Sequence, residues 1–220
     1  MIYDQKFARN SYSASQQNKI RSATYAIVGL GGTGGFIFEN LLRQGAEKFI
    51  LFDPDRFELT NFNRQILATD QTIDKKKTKA AAERAKSINK SVKIKCYGKF
   101  DSNLHNADIV IDGSDNVETK IQIAKAARAA KIPYVFCSAS FSRGIVSLFK
   151  NYKFEKAFHI DPALEYKKCA SIISPAASMT GSLAASLAVN YLIKKPCIRA
   201  PEALFFDLFK KEIFWRAELG

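Results

Sequence analysis

The chain has 220 residues, of which 47% are apolar and 25% charged. That size and balance fit one globular domain with a buried core, leave little room for a second, and exclude a disordered or low-complexity chain. Lys and Arg total 34 against 21 Asp and Glu, a net charge of +13 that points to an anionic partner or simply to a lysine-rich solvated surface, since the basic residues are scattered.

Residues 1–19 are polar and cannot serve as a signal peptide. The four cysteines (Cys96, Cys137, Cys169 and Cys197) include no CxxC pair, so a reducing cytoplasm is the expected setting. Residues 25–29 are a short apolar run ending in glycine, which predicts a buried strand. A helix is predicted over 36–44, with Phe38, Leu41 and Leu42 at helical spacing and Gly45 to close it. Residues 49–52 read as a second strand, ending in Asp53-Pro54-Asp55. Together these make a β-α-β unit with a parallel strand pair and a right-handed crossover. The alternation continues with a helix over 73–89, strands over 92–97 and 109–112, a helix over 117–131 and a strand over 134–139.

The last third reads differently. Residues 143–149 predict a strand and 151–169 an irregular segment. Residues 169–193 carry no charge, but serines, Asn190 and Pro175 interrupt the run. A close-packed helix is expected rather than a membrane span, with Ala177, Gly181 and Ala185 as a small-residue stripe against the sheet. Runs at 204–209 and 212–218 suggest an antiparallel hairpin. The expected fold is therefore α/β: a Rossmann-like open, largely parallel sheet with helices on both faces and a C-terminal antiparallel extension. Within a single domain, 1–24 would be an N-terminal helical arm, 25–140 the nucleotide-binding part and 141–220 a partner-binding antiparallel part.

Residues 29–35 read Gly-Leu-Gly-Gly-Thr-Gly-Gly, and Gly29, Gly31 and Gly34 match GxGxxG between a strand and a helix. Such a loop allows a tight turn, close backbone approach to a phosphate, and tight helix packing, with free helix N–H groups facing the anion. Asp53 stands where a ribose-binding carboxylate belongs. The fingerprint implies a nucleotide without choosing between NAD and ATP.

Further residues bear on that choice. Asp55 is followed by Asn61, Arg64 and Gln65 in the order N-x-x-R-Q, then by Lys77, then by Asp112-Gly113-Ser114-Asp115-Asn116. In this order, behind a glycine loop that includes Gly32, the chain resembles the bacterial adenylyltransferases of thiamine and molybdopterin biosynthesis, and through them the ubiquitin-activating enzymes. The resemblance implies ATP and Mg2+, with Asp53 on the ribose, Arg64 and Lys77 on the phosphates, and Asp115 on the metal; should Asp115 not be the ligand, Asp53 or Asp112 is next in line. It also aligns Gly29, Gly31, Gly32, Gly34, Asp55, Asn61, Gln65 and Asn116 with the nucleotide site. Arg9, in Phe7-Ala8-Arg9-Asn10, matches an arginine that reaches the neighbouring subunit's ATP, which implies a homodimer. Chemically the set fits. Attack of a carboxylate on a phosphoryl group calls for cations, N–H donors and a metal carboxylate more than for a base.

Each residue also has a plainer reading. Asp115 with Glu118 is a helix N-cap with a capping box. Lys77 sits among Lys75, Lys76 and Lys79, and Asn61 and Asn63 suit turns. The paired CxxC zinc ligands of many relatives are missing here, so no zinc is expected. His105 and His159 stand alone as loop residues, and Cys137 belongs to the core. Cys169, beside Lys167 and Lys168, matches a loop cysteine that some relatives use for thioester or persulfide chemistry, though it is also an ordinary small residue. The resemblance implies adenylation of a ubiquitin-like sulfur-carrier protein at its C-terminal glycine tail. The alternatives are a tRNA threonylcarbamoyladenosine dehydratase-like enzyme acting on RNA, and a non-catalytic NAD- or nucleotide-binding module.

Overall fold

The computed structural model describes residues 5–158 and 171–220. Eight strands form one sheet: β1 Thr24–Val28, β2 Lys48–Phe52, β3 Lys93–Tyr97, β4 Ile109–Asp112, β5 Tyr134–Ser140, β6 Arg143–Phe149, β7 Glu202–Asp207 and β8 Phe214–Glu218. Their spatial order is β3-β2-β1-β4-β5-β6-β7-β8. The first five are parallel and the last three run antiparallel to their neighbours. The fold is α/β with a largely parallel sheet and an antiparallel C-terminal edge.

The helices are α1 Ala14–Ser22, α2 Gly32–Arg43, α3 Lys77–Ile88, α4 Val117–Ala129, α5 Phe154–Phe158 and α6 Ser174–Leu192. Side chains of β1 alternate between two cores. Tyr25 and Ile27 join Phe38, Leu41 and Leu51 on the face that also holds residues of α3 and α6. Ala26 and Val28 join Phe52, Val110 and Phe136 on the face that holds α4 and α5. A sheet covered on both sides needs unbroken apolar strands, which is why β1, β2 and β4 lack polar alternation.

Several elements differ from the sequence expectation. Helix α2 begins at Gly32, four residues before the expected start, because the glycine loop itself supplies its first turn, with Gly35 N–H donating to Gly31 O at 2.9 Å. Helix α3 begins at Lys77 rather than 73; the preceding segment is held by backbone bridges between Arg56 and Lys76 and between Phe57 and Ile73. Residues 154–158 form α5 inside the stretch expected to be irregular, anchored by Phe154 packed on Tyr134, Phe136 and Phe149.

The small-residue stripe of α6 meets a helix as well as the sheet. A Cβ on Gly181 would sit 2.7 Å from Phe36 Cβ and from Thr33 O of α2. Thr180 crowds Gly144 of β6 in the same way. No helix among the described residues is long and apolar enough to cross a membrane.

Candidate functional site

Register builds the site. Val28, Phe52 and Asp112 lie level across β1, β2 and β4, so the turns after all three strands open at one edge of the sheet. Strand order reverses there, since β2 and β4 flank β1 on opposite sides, and such a switch point leaves a crevice beyond the strand ends.

Three glycines lock two of the turns together. Gly29, at φ +90°, donates its N–H to Phe52 O at 2.8 Å, and Gly113 donates to Val28 O at 2.7 Å. A Cβ on Gly29 would lie 2.6 Å from Gly113 O, and one on Gly113 would lie 2.5 Å from Gly29 O. A Cβ on Gly34 would overlap the Gly29 carbonyl outright. Gly31 differs: its nearest neighbour would be Gln65 Nε2 at 3.8 Å, so room remains in front of its backbone. Gly31 caps α2 without a side-chain bond, leaving N–H groups of the first turn to face that room.

Asp53 ties the glycine loop to the end of β2. Its Oδ2 accepts the Leu30 N–H at 2.7 Å and its Oδ1 accepts the Asp55 N–H at 2.8 Å. Burial pushes its pKa up, while Lys77 and the two backbone donors pull it back in part. Lys77 is 6% exposed, at the first position of α3, with Nζ 3.0 Å from Asp55 Oδ2. Its ammonium therefore points towards the Asp53–Asp55 turn. The lysine run expected as solvated surface has its functional candidate buried.

Residues 59–65 cover the same edge. Asn61 is buried and accepts the Glu58 N–H at 3.2 Å through Oδ1. Arg64 Nη1 donates to Thr60 O and Asn63 Oδ1 at 3.0 and 2.7 Å, and a Cβ on Gly32 would touch its Cγ at 3.4 Å. Guanidinium carries five N–H donors, so a group held through Nη1 retains capacity for an anion. Gln65, 6% exposed, leaves Oε1 buried without a partner among the described residues. An orphaned polar atom beside the open face of Gly31 fits a bound polar ligand.

The turn after β4 corrects two expectations. The cap of α4 is Asn116, whose Oδ1 accepts the Thr119 N–H at 2.7 Å; Asp115 is exposed and precedes it. Asp112 cannot stand in as a metal ligand. It is fully buried and its carboxylate accepts from Ser114 N and Oγ, Lys120 Nζ and Tyr134 OH at 2.8, 2.6, 3.1 and 2.7 Å, filling its acceptor positions. Among the described residues no three His, Cys, Asp or Glu side chains gather as a metal cage. An ion here would be shared between one or two carboxylates and phosphate oxygens, the manner of Mg2+. Asp115 is an oxygen donor suited to that.

One expected residue, Arg9, is not brought to this edge. Arg9 is exposed on the turn before Asn10, and Asn10 donates to Gln44 O at the far end of α2 from the glycine loop. A twelve-residue helix is about 18 Å long, which separates Arg9 from the loop of its own chain. Cys169 and His159 lie outside the described residues. His105 lies in a turn, where its ring stacks on that of Tyr97 at 4.3 Å. Sequence reasoning missed Gly113 as a packing glycine, together with Lys120 and Tyr134. A helical lysine and a strand-initial tyrosine carry no local signal of a shared buried carboxylate.

Known proteins resemble this chain in sequence and in fold. The Escherichia coli sulfur carrier protein ThiS adenylyltransferase is 26% identical over 99% of this chain and 90% of its own length. A tRNA threonylcarbamoyladenosine dehydratase of Haemophilus influenzae is 33% identical over 59% of this chain and 53% of its own. This chain spans between about half and two thirds of the first three curated relatives it matches. In fold it resembles E. coli MccB with ATP, at TM-score 0.81 and 22% identity over 99% of this chain and 72% of that one. The ThiF family model matches residues 3–219, and the chain belongs to that family.

Proposed function

We propose that this protein adenylates a carboxylate with ATP, and that the carboxylate is the C-terminal one of a ubiquitin-like sulfur-carrier protein. The observation that carries the reading is the convergence of Gly31, Asp53, Lys77, Arg64 and Asp115 on one edge of the sheet. Family membership and the name of the ThiS adenylyltransferase relative support it.

In this reading the α2 N-terminus and Arg64 bind phosphates, Lys77 adds positive charge, and Asp53 orients the ribose while holding the loop. A carboxylate oxygen attacks the α-phosphorus, the bond to the bridging oxygen breaks, and pyrophosphate leaves. Bound Mg2+, held by Asp115, would offset charge on the phosphates. Charge builds on phosphoryl oxygens during this step, so fixed donors lower the barrier without a proton-transferring base.

The antiparallel extension suits the carrier. Phe141 and Phe209 are exposed and meet edge to face at 5.5 Å, and on β8 Phe214 and Trp215 are exposed on opposite faces of the strand, beside Phe206 and Phe205. Arg9, remote from its own loop, is assigned to the site of a second subunit in a homodimer. A reducing cytoplasm is the proposed setting.

A tRNA substrate is the second reading, favoured by the net charge of +13 and by the dehydratase relative. ATP–pyrophosphate exchange, measured with purified sulfur carriers and with bulk tRNA, tests both. Exchange that requires the carrier's glycine tail supports the first reading, and exchange that requires tRNA replaces it with the second.

A further inference from the structure

The buried ion pair below the Asp115 turn has a geometry beyond simple charge pairing. Lys120 lies in the first turns of α4, is 7% exposed, and spends its three N–H donors on the end of β4, the turn after it and β5. It donates to Asp112 Oδ2 at 3.1 Å, to Ser114 O at 2.9 Å and to Cys137 O at 3.0 Å. Asp112 in turn accepts the Ser114 N–H and hydroxyl. Ser114 is thus gripped at its amide, side chain and carbonyl, while Gly113 is wedged against Gly29 and Gly34. The next residue is Asp115.

We propose that Lys120 is a positioning residue for the metal-binding turn: through Asp112 and Ser114 it fixes where Asp115 presents its carboxylate to Mg2+. The inference rests on the ATP–Mg2+ reading above. A pair serving stability alone needs one good contact between ammonium and carboxylate. Here two of the three lysine bonds go to backbone carbonyls, one of them within the turn itself, and that arrangement fixes geometry.

The test measures ATP affinity of the whole chain by calorimetry, with Mg2+ and with EDTA, beside the melting temperature. Lys120→Met alone strands the Asp112 charge in the core and is expected to lose folded protein. Asp112→Asn/Lys120→Met removes both charges. In this variant the metal-linked gain in ATP affinity should fall about tenfold or more, as for other groups that orient a metal ligand. Its metal-free ATP affinity should stay that of the parent. Lys120→Arg, which keeps a cation with donors for all three oxygens, should keep the metal-linked gain.

Should the first double variant not fold, Asp112→Asn/Lys120→Gln is read in its place against the same outcomes. A folded double variant with the parent's full metal-linked gain overturns the inference and leaves the functional reading standing. A parent chain whose ATP affinity ignores Mg2+, or that binds no ATP, overturns the reading and the inference together.

Discussion

Gly34 and Gly29 touch backbone to backbone: a Cβ on Gly34 would fall inside the Gly29 carbonyl oxygen. The contact lets the first turn of α2 rest on the end of β1, and Gly113 closes the packing from the β4 side. Gly31, two residues along the loop, faces open space instead. The same motif therefore holds one glycine locked in backbone packing and leaves another with room in front of it.

That contrast predicts two different failures. Gly34→Ala should destabilise the fold by roughly 3 kcal/mol or more, since neither backbone can give way. Gly31→Ala should unfold at the parent's denaturant midpoint yet bind ATP more weakly, because its methyl group would occupy the space a phosphate needs. Urea titration beside calorimetry separates the pair. Equal stability loss in both variants would remove the assigned division of labour.

The two cations proposed for the phosphates should behave differently in stability while failing alike in activity. The Arg64 guanidinium is held by exposed hydrogen bonds, so Arg64→Ala should leave the melting temperature nearly unchanged. Lys77 is buried beside Asp55, and its charge opposes the upward push of burial on the Asp53 pKa. Lys77→Met should therefore raise the Asp53 pKa further, which titration followed by NMR would detect. Either variant should lower the exchange rate by about a hundredfold to a thousandfold, as for the loss of one fixed donor at a developing charge.

Because the cap of α4 is Asn116, the cap and the proposed metal ligand can be tested apart. Asn116→Ala should cost about 1 kcal/mol through the lost bond to the Thr119 N–H. Asp115→Asn should leave the unfolding curve in place while exchange drops sharply at ordinary Mg2+ concentration. Full activity in the Asp115→Asn chain would move the metal away from this turn.

Acid should weaken the clamp between α2 and α3. Glu39 accepts from Arg84 through both oxygens at 2.9 and 3.0 Å and from Arg43 at 2.9 Å. Burial tends to raise its pKa, but the two arginines outweigh that and hold it below the ordinary value. A depressed folded-state pKa stabilises the protein fully above the unfolded carboxyl's value of about 4.3, and the gain is lost as pH falls through the lower folded value. Glu39→Gln should thus be less stable than the parent at neutral pH, with the gap closing in acid. Denaturation curves from pH 7 down to about pH 3 bracket that window.

Much of this architecture is legible in the chain itself. Apolar runs at 25–29, 49–52 and 109–112 declare buried parallel strands, because only a doubly covered sheet tolerates them. The glycine spacing after β1 and the acidic end of β2 declare a nucleotide edge, since only Gly fits where backbones touch.

Tertiary structure alone decided which neighbours those residues have. Asp115 and Asn116 are equally good caps on paper, and the chain entered α4 at the second. Lys77 looked like one of several solvated lysines, yet the position of α3 against the β2 turn buries it beside Asp55. Lys120 and Tyr134 stand 8 and 22 residues from Asp112 in sequence and meet it because β4, α4 and β5 are adjacent. Local propensity reports what a residue does to its own segment. Register and packing fix which distant groups must share a buried charge, and that sharing leaves no mark on the sequence around any one of them.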